Sequence, residues 1–318
     1  MIWLGWRQQR TETLIAAAIL AALALLLLPS GLDMASTFHH DALAKCVSSD
    51  TRGCDALLHN FTDRFESLQG LTGWLTLVPG LIGVLLAAPF LLDLEAGTHR
   101  LAWTQSITRR RWLAGKLGMA IVAALVAAAV FSLFLTWWRA PFVRIEGRMR
   151  NVTYDSEGIV VYSYFLFALG LAAAVGAFWR KAVPALVVGF AGYFASRIFD
   201  DFWLRQRLLS PMRVTYGIQS AGPKILNKAW IISQYPSDRL GHAASPTILA
   251  GSPCAQGAPT PKSALRSCLG ENGALFQHVV FQPASRFWAL QGVETALFGG
   301  LAIAMLVFAA WWTNRRAA

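Results

Sequence analysis

Six stretches of the chain stay apolar for about 20 residues, the length a helix needs to cross a hydrocarbon core about 30 Å thick. They cover residues 14–32, 71–92, 113–138, 159–178, 182–203 and 287–312. The first is built from Ala and Leu, and the second is interrupted by Pro79 and Pro89. The third ends in the pair Trp137-Trp138, and only Trp179-Arg180-Lys181 separates the fourth from the fifth. Arg197, Asp200 and Asp201 break the apolar pattern near the end of the fifth. The polar residues fall between these runs, in segments 30–70, 139–158 and 205–288 on one side and a loop, 93–112, on the other. Within the longest segment, Val214-Thr-Tyr-Gly-Ile and Ala229-Trp-Ile-Ile-Ser read as short strands, and the Pro/Gly-rich stretch from Pro246 to Pro261 reads as loop.

Composition agrees. The 318 residues are 55% hydrophobic and only 14% charged, with a mean hydropathy of +0.46. A soluble domain carries about a quarter charged residues, so this chain could not clothe its surface in water. Its formal charge of +11 excludes neither lipid nor membrane, but the apolar mass excludes a disordered basic tail and an ordinary nucleic-acid binder. The 13 Trp and 19 Phe suit a membrane–water interface. The expected fold is an all-α, multi-pass membrane protein of six transmembrane helices, forming a single domain in a lipid bilayer with no nucleic-acid partner.

The basic residues set the expected orientation. With both termini cytoplasmic, the inner segments hold Arg7, Arg10, Arg100, Arg109, Arg110, Arg111, Lys116, Arg180, Lys181, Arg315 and Arg316, against Glu12, Asp93 and Glu95. That bias follows the positive-inside rule and places the chain in the plasma membrane. The first apolar run is too long for a signal-peptide core and lacks a convincing cleavage site, so it is read as a retained span. Segments 30–70, 139–158 and 205–288 are then extracellular, the last forming a small cap.

All four cysteines lie in those outer segments. Cys46, Cys54, Cys254 and Cys268 lack the spacing of zinc or redox sites, and an oxidising exterior makes disulfides the expected state. Three connectivities are open; the favoured one joins Cys46 to Cys54 and Cys254 to Cys268. His39, His40 and His59 read as solvated loop residues, so no metal is assigned. The chain carries no G-x-x-x-x-G-K-[ST] phosphate loop, no H-E-x-x-H, no G-x-S-x-G and no T-V-G-Y-G filter. No catalytic residue and no cofactor site is expected.

The inner loop is the most informative stretch. Gly97 is placed to end the second span, and Thr98 to cap a short helix from His99 to about Gln105. Such a helix would either dock on a partner or lie in the headgroups. Here the chain resembles a family. Glu95-Ala-Gly-Thr-His-Arg-Leu-Ala-Trp-Thr-Gln-Ser-Ile-Thr, followed by Arg111-Trp-Leu-Ala and Lys116-Leu, is similar to the loop of actinobacterial permease subunits of type-2 ABC exporters. The likeness continues through Gln282-Pro-Ala-Ser-Arg-Phe-Trp, Gln291, Val293-Glu294 and Trp311-Trp312. The run Arg109-Arg110-Arg111 is more basic than the family's usual T-R-T-R-W arrangement.

The resemblance implies that the loop forms a coupling helix seated in a cleft of a separate ATPase subunit. The coupling residues would be Glu95, Gly97, Thr98, His99, Arg100, Trp103, Thr104, Gln105 and Ser106. ATP and Mg would be bound by a dimer of those ATPases, and two permease copies, expected to be a homodimer, would rock as the ATPases close. The cargo expected from apolar spans is hydrophobic or amphipathic: a drug, antibiotic, lipid or peptide. A membrane-embedded enzyme acting on lipid-linked substrates, or a ligand sensor, is the alternative.

Ionisable residues within spans usually face a bundle interior or a cavity. Arg197 lies six residues before Trp203 and Glu294 six after Trp288, so both are expected at the same depth, with a pair between spans five and six. Asp200 and Asp201, three and four residues on, compete for Arg197. Gly80 with Gly83, Gly170 with Gly176, Gly189 with Gly192, and Gly299-Gly300 are expected to let helices pack closely.

Overall fold

The computed structural model describes residues 2–40, 43–49, 54–98, 108–220, 222–239, 270 and 274–316. Those residues are mostly helical. Six helices among them are long and apolar enough to cross a membrane: Gln9–His39, Glu66–Glu95, Arg109–Glu146, Val160–Trp179, Ala182–Leu208 and Ala284–Arg315. Each matches one of the apolar stretches read from the sequence, five containing it whole and Val160–Trp179 all but residue 159.

The first span lies in α1 (Ile2–His40), followed by the short α2 (Leu43–Ser49) and α3 (Cys54–Arg64). A disulfide joins Cys46 to Cys54. The second span is assembled from three pieces, α4 (Glu66–Leu75), α5 (Leu77–Leu86) and α6 (Ala88–Glu95). The breaks at Thr76 and Ala87 fall just before Pro79 and Pro89, whose missing N–H groups remove a helical hydrogen bond each. Gln9, buried on α1, donates to the Leu86 carbonyl at the second break, 3.0 Å away. The third span is α7 (Arg109–Glu146), followed by α8 (Asn151–Ser156); the fourth is α9 (Val160–Trp179) and the fifth begins with α10 (Ala182–Phe199). A π-helical turn, Asp200–Leu204, continues α10 into α11 (Arg205–Leu208), and α12 (Phe287–Arg316) holds the sixth span.

Several helices outrun their apolar stretches. α1 continues past Pro29 through residues expected to be outer loop: the Ser30 hydroxyl bonds back to Leu27 O at 2.8 Å, and Trp138 Nε1 donates to Ser30 Oγ at 3.1 Å. Likewise α7 reaches Glu146, so the segment expected at 139–158 is largely helix rather than loop. A lipid boundary ends hydrophobicity, but the helix continues beyond it, in α7 even past Pro141.

The described chain divides into two compact units. The first gathers the residues up to Glu146, Asn151–Arg205, and those from Ala289 on; the second comprises Gly147–Arg150 and Gln206–Trp288. At the centre of the first unit stands α9, buried on most sides by α5, α7 and α10. Small residues permit that approach. A Cβ on Gly83 would sit 2.5 Å from the Phe165 carbonyl oxygen, and one on Gly189 3.0 Å from Ala172 Cα.

The second unit contains a three-stranded antiparallel sheet of order β1-β3-β2, from β1 (Met212–Gly217), β2 (Trp230–Ser237) and β3 (Phe276–Gln282). The outer two overlap the strands read from sequence; the middle one was not anticipated. Its signal is present, with Val279 and Phe281 buried at alternate positions before Pro283. Central His278 is held between two hydroxyls, Thr215 Oγ1 at Nδ1 and Ser237 Oγ at Nε2, each 2.8 Å away, and stacks on Tyr235 with ring centres 4.9 Å apart.

Candidate functional site

Two places within the first unit concentrate polar chemistry: the roots of the loop between spans two and three, and a buried ionic hub.

The loop leaves α6 at Ala96, the C-cap, and turns through Gly97, whose φ of 69° suits a residue without a Cβ. Thr98 turns its hydroxyl back, donating to Asp93 O at 3.4 Å and Asp93 Oδ1 at 3.3 Å. Glu95 is exposed, yet its Oε2 accepts the Ala182 N–H at 2.8 Å. Asp93 Oδ2 pairs with Lys116 Nζ of α7 at 2.5 Å, and Arg109 Nη1 donates to Asn314 O of α12 at 3.2 Å. Thus the two roots are tied to spans three, five and six. His99, Arg100, Trp103, Thr104, Gln105 and Ser106 lie outside the described residues, as do Cys254 and Cys268.

The hub forms where α8, α9, α10, the π-helical turn and α12 meet. Arg197 Nη1 is 2.8 Å from Asp200 Oδ2 and 3.3 Å from Glu294 Oε1. Its Nη2 is 2.8 Å from Asp155 Oδ1 and 3.2 Å from Asp201 Oδ1. Arg205 Nη2 shares all four acceptors: Asp155 Oδ1 at 2.5 Å, Asp200 Oδ2 and Asp201 Oδ1 at 2.9 Å, and Glu294 Oε1 at 3.1 Å. Tyr164 donates its hydroxyl to Glu294 Oε1, and the Arg197 guanidinium lies 4.0 Å above the Tyr164 ring. Arg205 stands 4.6 Å over Tyr154 in the same way. The side chains of Arg197, Arg205, Asp155, Asp200 and Glu294 are at most 4% exposed. Burial first, and the Glu294 charge second, push the Tyr154 phenol well above its ordinary pKa.

Local geometry explains why these residues converge. In a regular α-helix, positions eight apart are about 80° out of line. The wider π turn takes most of that rotation back, bringing Arg205 round to Arg197. Gln291, one turn before Glu294 on α12, completes the frame. Its Oε1 accepts the Val160 N–H at 2.9 Å, and its Nε2 donates to the Tyr154 and Glu157 carbonyls at 3.0 and 3.1 Å. It caps α9 where the Ile159 side chain makes no capping bond.

The Arg197–Glu294 contact is therefore one edge of a larger cluster. Reading the sequence alone missed Arg205, Asp155, Tyr164 and Tyr154. A signal existed for Arg205, since Arg197, Asp201 and Arg205 follow one another at intervals of four. Ending the span at Trp203 assigned Arg205 to an outer loop instead. Asp155 carries no comparable signal, because α8 is a six-residue helix between spans. Among the described residues no group of His, Cys, Asp and Glu is arranged to hold a metal ion. The two guanidinium groups and four carboxyl groups of the hub engage one another and link α8 with spans five and six.

Residues 17–205 match the family described as ABC-2 membrane transporter related. That match covers more than half of the chain, from the first span through Arg205. The chain belongs to the ABC-2 membrane transporter related family. It is accordingly a multi-pass membrane component related to ABC-2 transporters, a family typically of non-catalytic permeases that implies an ATPase partner in general. The matched range of this ABC-2 related chain includes the loop between spans two and three and every ionic member of the hub except Glu294. No curated protein and no solved structure matches the chain significantly.

Proposed function

We propose that this ABC-2 related chain is the permease subunit of an ATP-driven exporter. ATP and Mg are bound and ATP is hydrolysed by a separate ATPase dimer, and the loop at 93–112 is where that ATPase takes hold. Two copies of the chain form the pathway, with both termini and the loop cytoplasmic and the disulfide-bearing segments outside. The cargo is hydrophobic or amphipathic, in keeping with spans that carry few ionisable side chains outside the hub. Family membership is the observation that carries the reading. The absence of a phosphate loop from the sequence supports it, because hydrolysis then belongs to a partner.

The test is affinity purification of the full chain from its own cells in mild detergent. A phosphate-loop ATPase should co-purify and should be lost when Thr98, His99, Arg100 and Trp103 are replaced together by Ala. Retention of the ATPase by that variant would sink the loop assignment.

A further inference from the structure

The fifth span starts with an incomplete helix end. α9 closes at Trp179, Arg180 follows in the left-handed conformation with φ 56°, and Lys181 is extended and makes no side-chain capping bond. The first turn of any helix leaves N–H groups without an internal partner. In α10, Pro184 removes one such donor by having none, and Ala185 N–H reaches Lys181 O at 3.3 Å. Ala182 N–H is taken by Glu95 Oε2 at 2.8 Å, a residue 87 positions earlier at the root of the loop. A carboxylate is the favoured group there, since the helix dipole places partial positive charge at that end.

The surrounding packing makes this a firm joint. Ala182 and Ala185 are buried to 1% and 0% exposure, and α10 packs on both α6 and α9. Gly176 of α9 admits Leu91 of α6 and Ala185 of α10 at the same level. From Ala182 the helix runs unbroken to Phe199, about 22 Å from the joint to Arg197 at 1.5 Å per residue. Its far end carries four of the six ionic members of the hub: Arg197, Asp200, Asp201 and Arg205. One helix is thus gripped at one end by the loop root and at the other by spans four and six.

We propose that Glu95 is a positioning residue that fastens the loop to the fifth span, so that displacement of the loop passes along α10 as a rod into the Arg197–Arg205 hub. This rests on the reading that an ATPase engages the loop. It assigns Glu95 a partner inside the chain and not on the ATPase. The other root contacts, Asp93 with Lys116 and Arg109 with Asn314, steady the loop against spans three and six. Arg109 also reaches a hub helix, α12, which supplies Glu294, but Glu95 reaches the one whose far end carries four of the six ionic members.

The experiment is hydrogen exchange, read by mass spectrometry, on the full chain with its co-purified ATPase, with and without a non-hydrolysable ATP analogue. Wild type, Glu95→Ala and Glu95→Gln are compared, the last keeping an oxygen acceptor. In wild type and Glu95→Gln, the analogue should alter exchange both at the start of α10 and across residues 197–205. In Glu95→Ala the ATPase should still co-purify, and exchange at the start of α10 should rise roughly tenfold, the effect of losing a charged hydrogen bond. The response at 197–205 should be lost. If that response persists in Glu95→Ala, or exchange at the start of α10 is unchanged, the proposal is wrong. Should Glu95→Ala shed the ATPase, Glu95 belongs to the ATPase contact and the positioning role falls while the permease reading stands. Failure of wild type to bring down any ATPase would instead remove the permease reading, and this inference with it.

Discussion

Arg197 and Arg205 are the residues on which the helical unit most depends. Each guanidinium is desolvated and meets four carboxyl groups, so removing either leaves acidic groups buried without their counter-charge. Breaking a buried ion pair in this way costs about 3–5 kcal/mol. Arg205→Ala should therefore lower the unfolding midpoint in detergent by an amount equivalent to that loss, measured by thermal or denaturant unfolding. Tyr164→Phe removes the hydroxyl that donates to Glu294 and should cost about 1.5–3 kcal/mol, the range for hydrogen bonds to charged groups. Exchanging the charges of Arg197 and Glu294 should restore little of what either single Ala change loses. Arg197 also faces Asp155, Asp200 and Asp201, and a carboxylate in its place would repel all three. Full rescue by the swap would mean that a simple pair, and not a hub, holds the spans together.

Among the elements, legibility varied with the kind of signal each leaves in the sequence. The six spans are readable because a helix that faces lipid must be predominantly apolar over about 20 residues, a pattern that the few charges buried between helices do not erase. Pro79 and Pro89 coincide with the breaks in the second span, whereas Pro29 and Pro141 lie inside unbroken helices, so a proline marks a break only where the packing yields. Helix ends beyond the apolar core were not readable: α1 and α7 continue on contacts such as Trp138 with Ser30, which bring together residues 108 positions apart. The hub was half readable. Intramembrane charge singles out Arg197 and Glu294, whereas Asp155 reaches them only through the fold. Glycine packing belongs to this scale too. Gly83→Ala would press a methyl group onto the Phe165 carbonyl, forcing α5 and α9 apart. That should cost about 1–3 kcal/mol, as overpacking does, and be visible as a lower unfolding midpoint. Gly300→Ala, where nothing lies within 4 Å, should be neutral by comparison.

At the scale of the whole molecule, the proposed orientation has a chemical signature. A disulfide between Cys46 and Cys54 persists only where the segment faces an oxidising compartment. In intact cells, a membrane-impermeant thiol reagent should label these positions after mild reduction and not before. Reduction should also cost about 2–3 kcal/mol of stability, as expected for a short closed loop. Labelling of a cysteine introduced at Arg110 from outside would reverse the orientation. Under the proposed scheme the loop would receive force and its roots would pass it to spans three, five and six, while the hub holds spans four, five and six together at the far end of α10. Everything in that scheme depends on a partner that supplies the ATP chemistry. The decisive measurement is therefore affinity purification of the intact chain from its own membrane. Recovery of a phosphate-loop ATPase with the wild-type chain, and its loss on substitution of Thr98, His99, Arg100 and Trp103, is the predicted result. Purification without any ATPase, or with one that ignores those changes, would contradict the account.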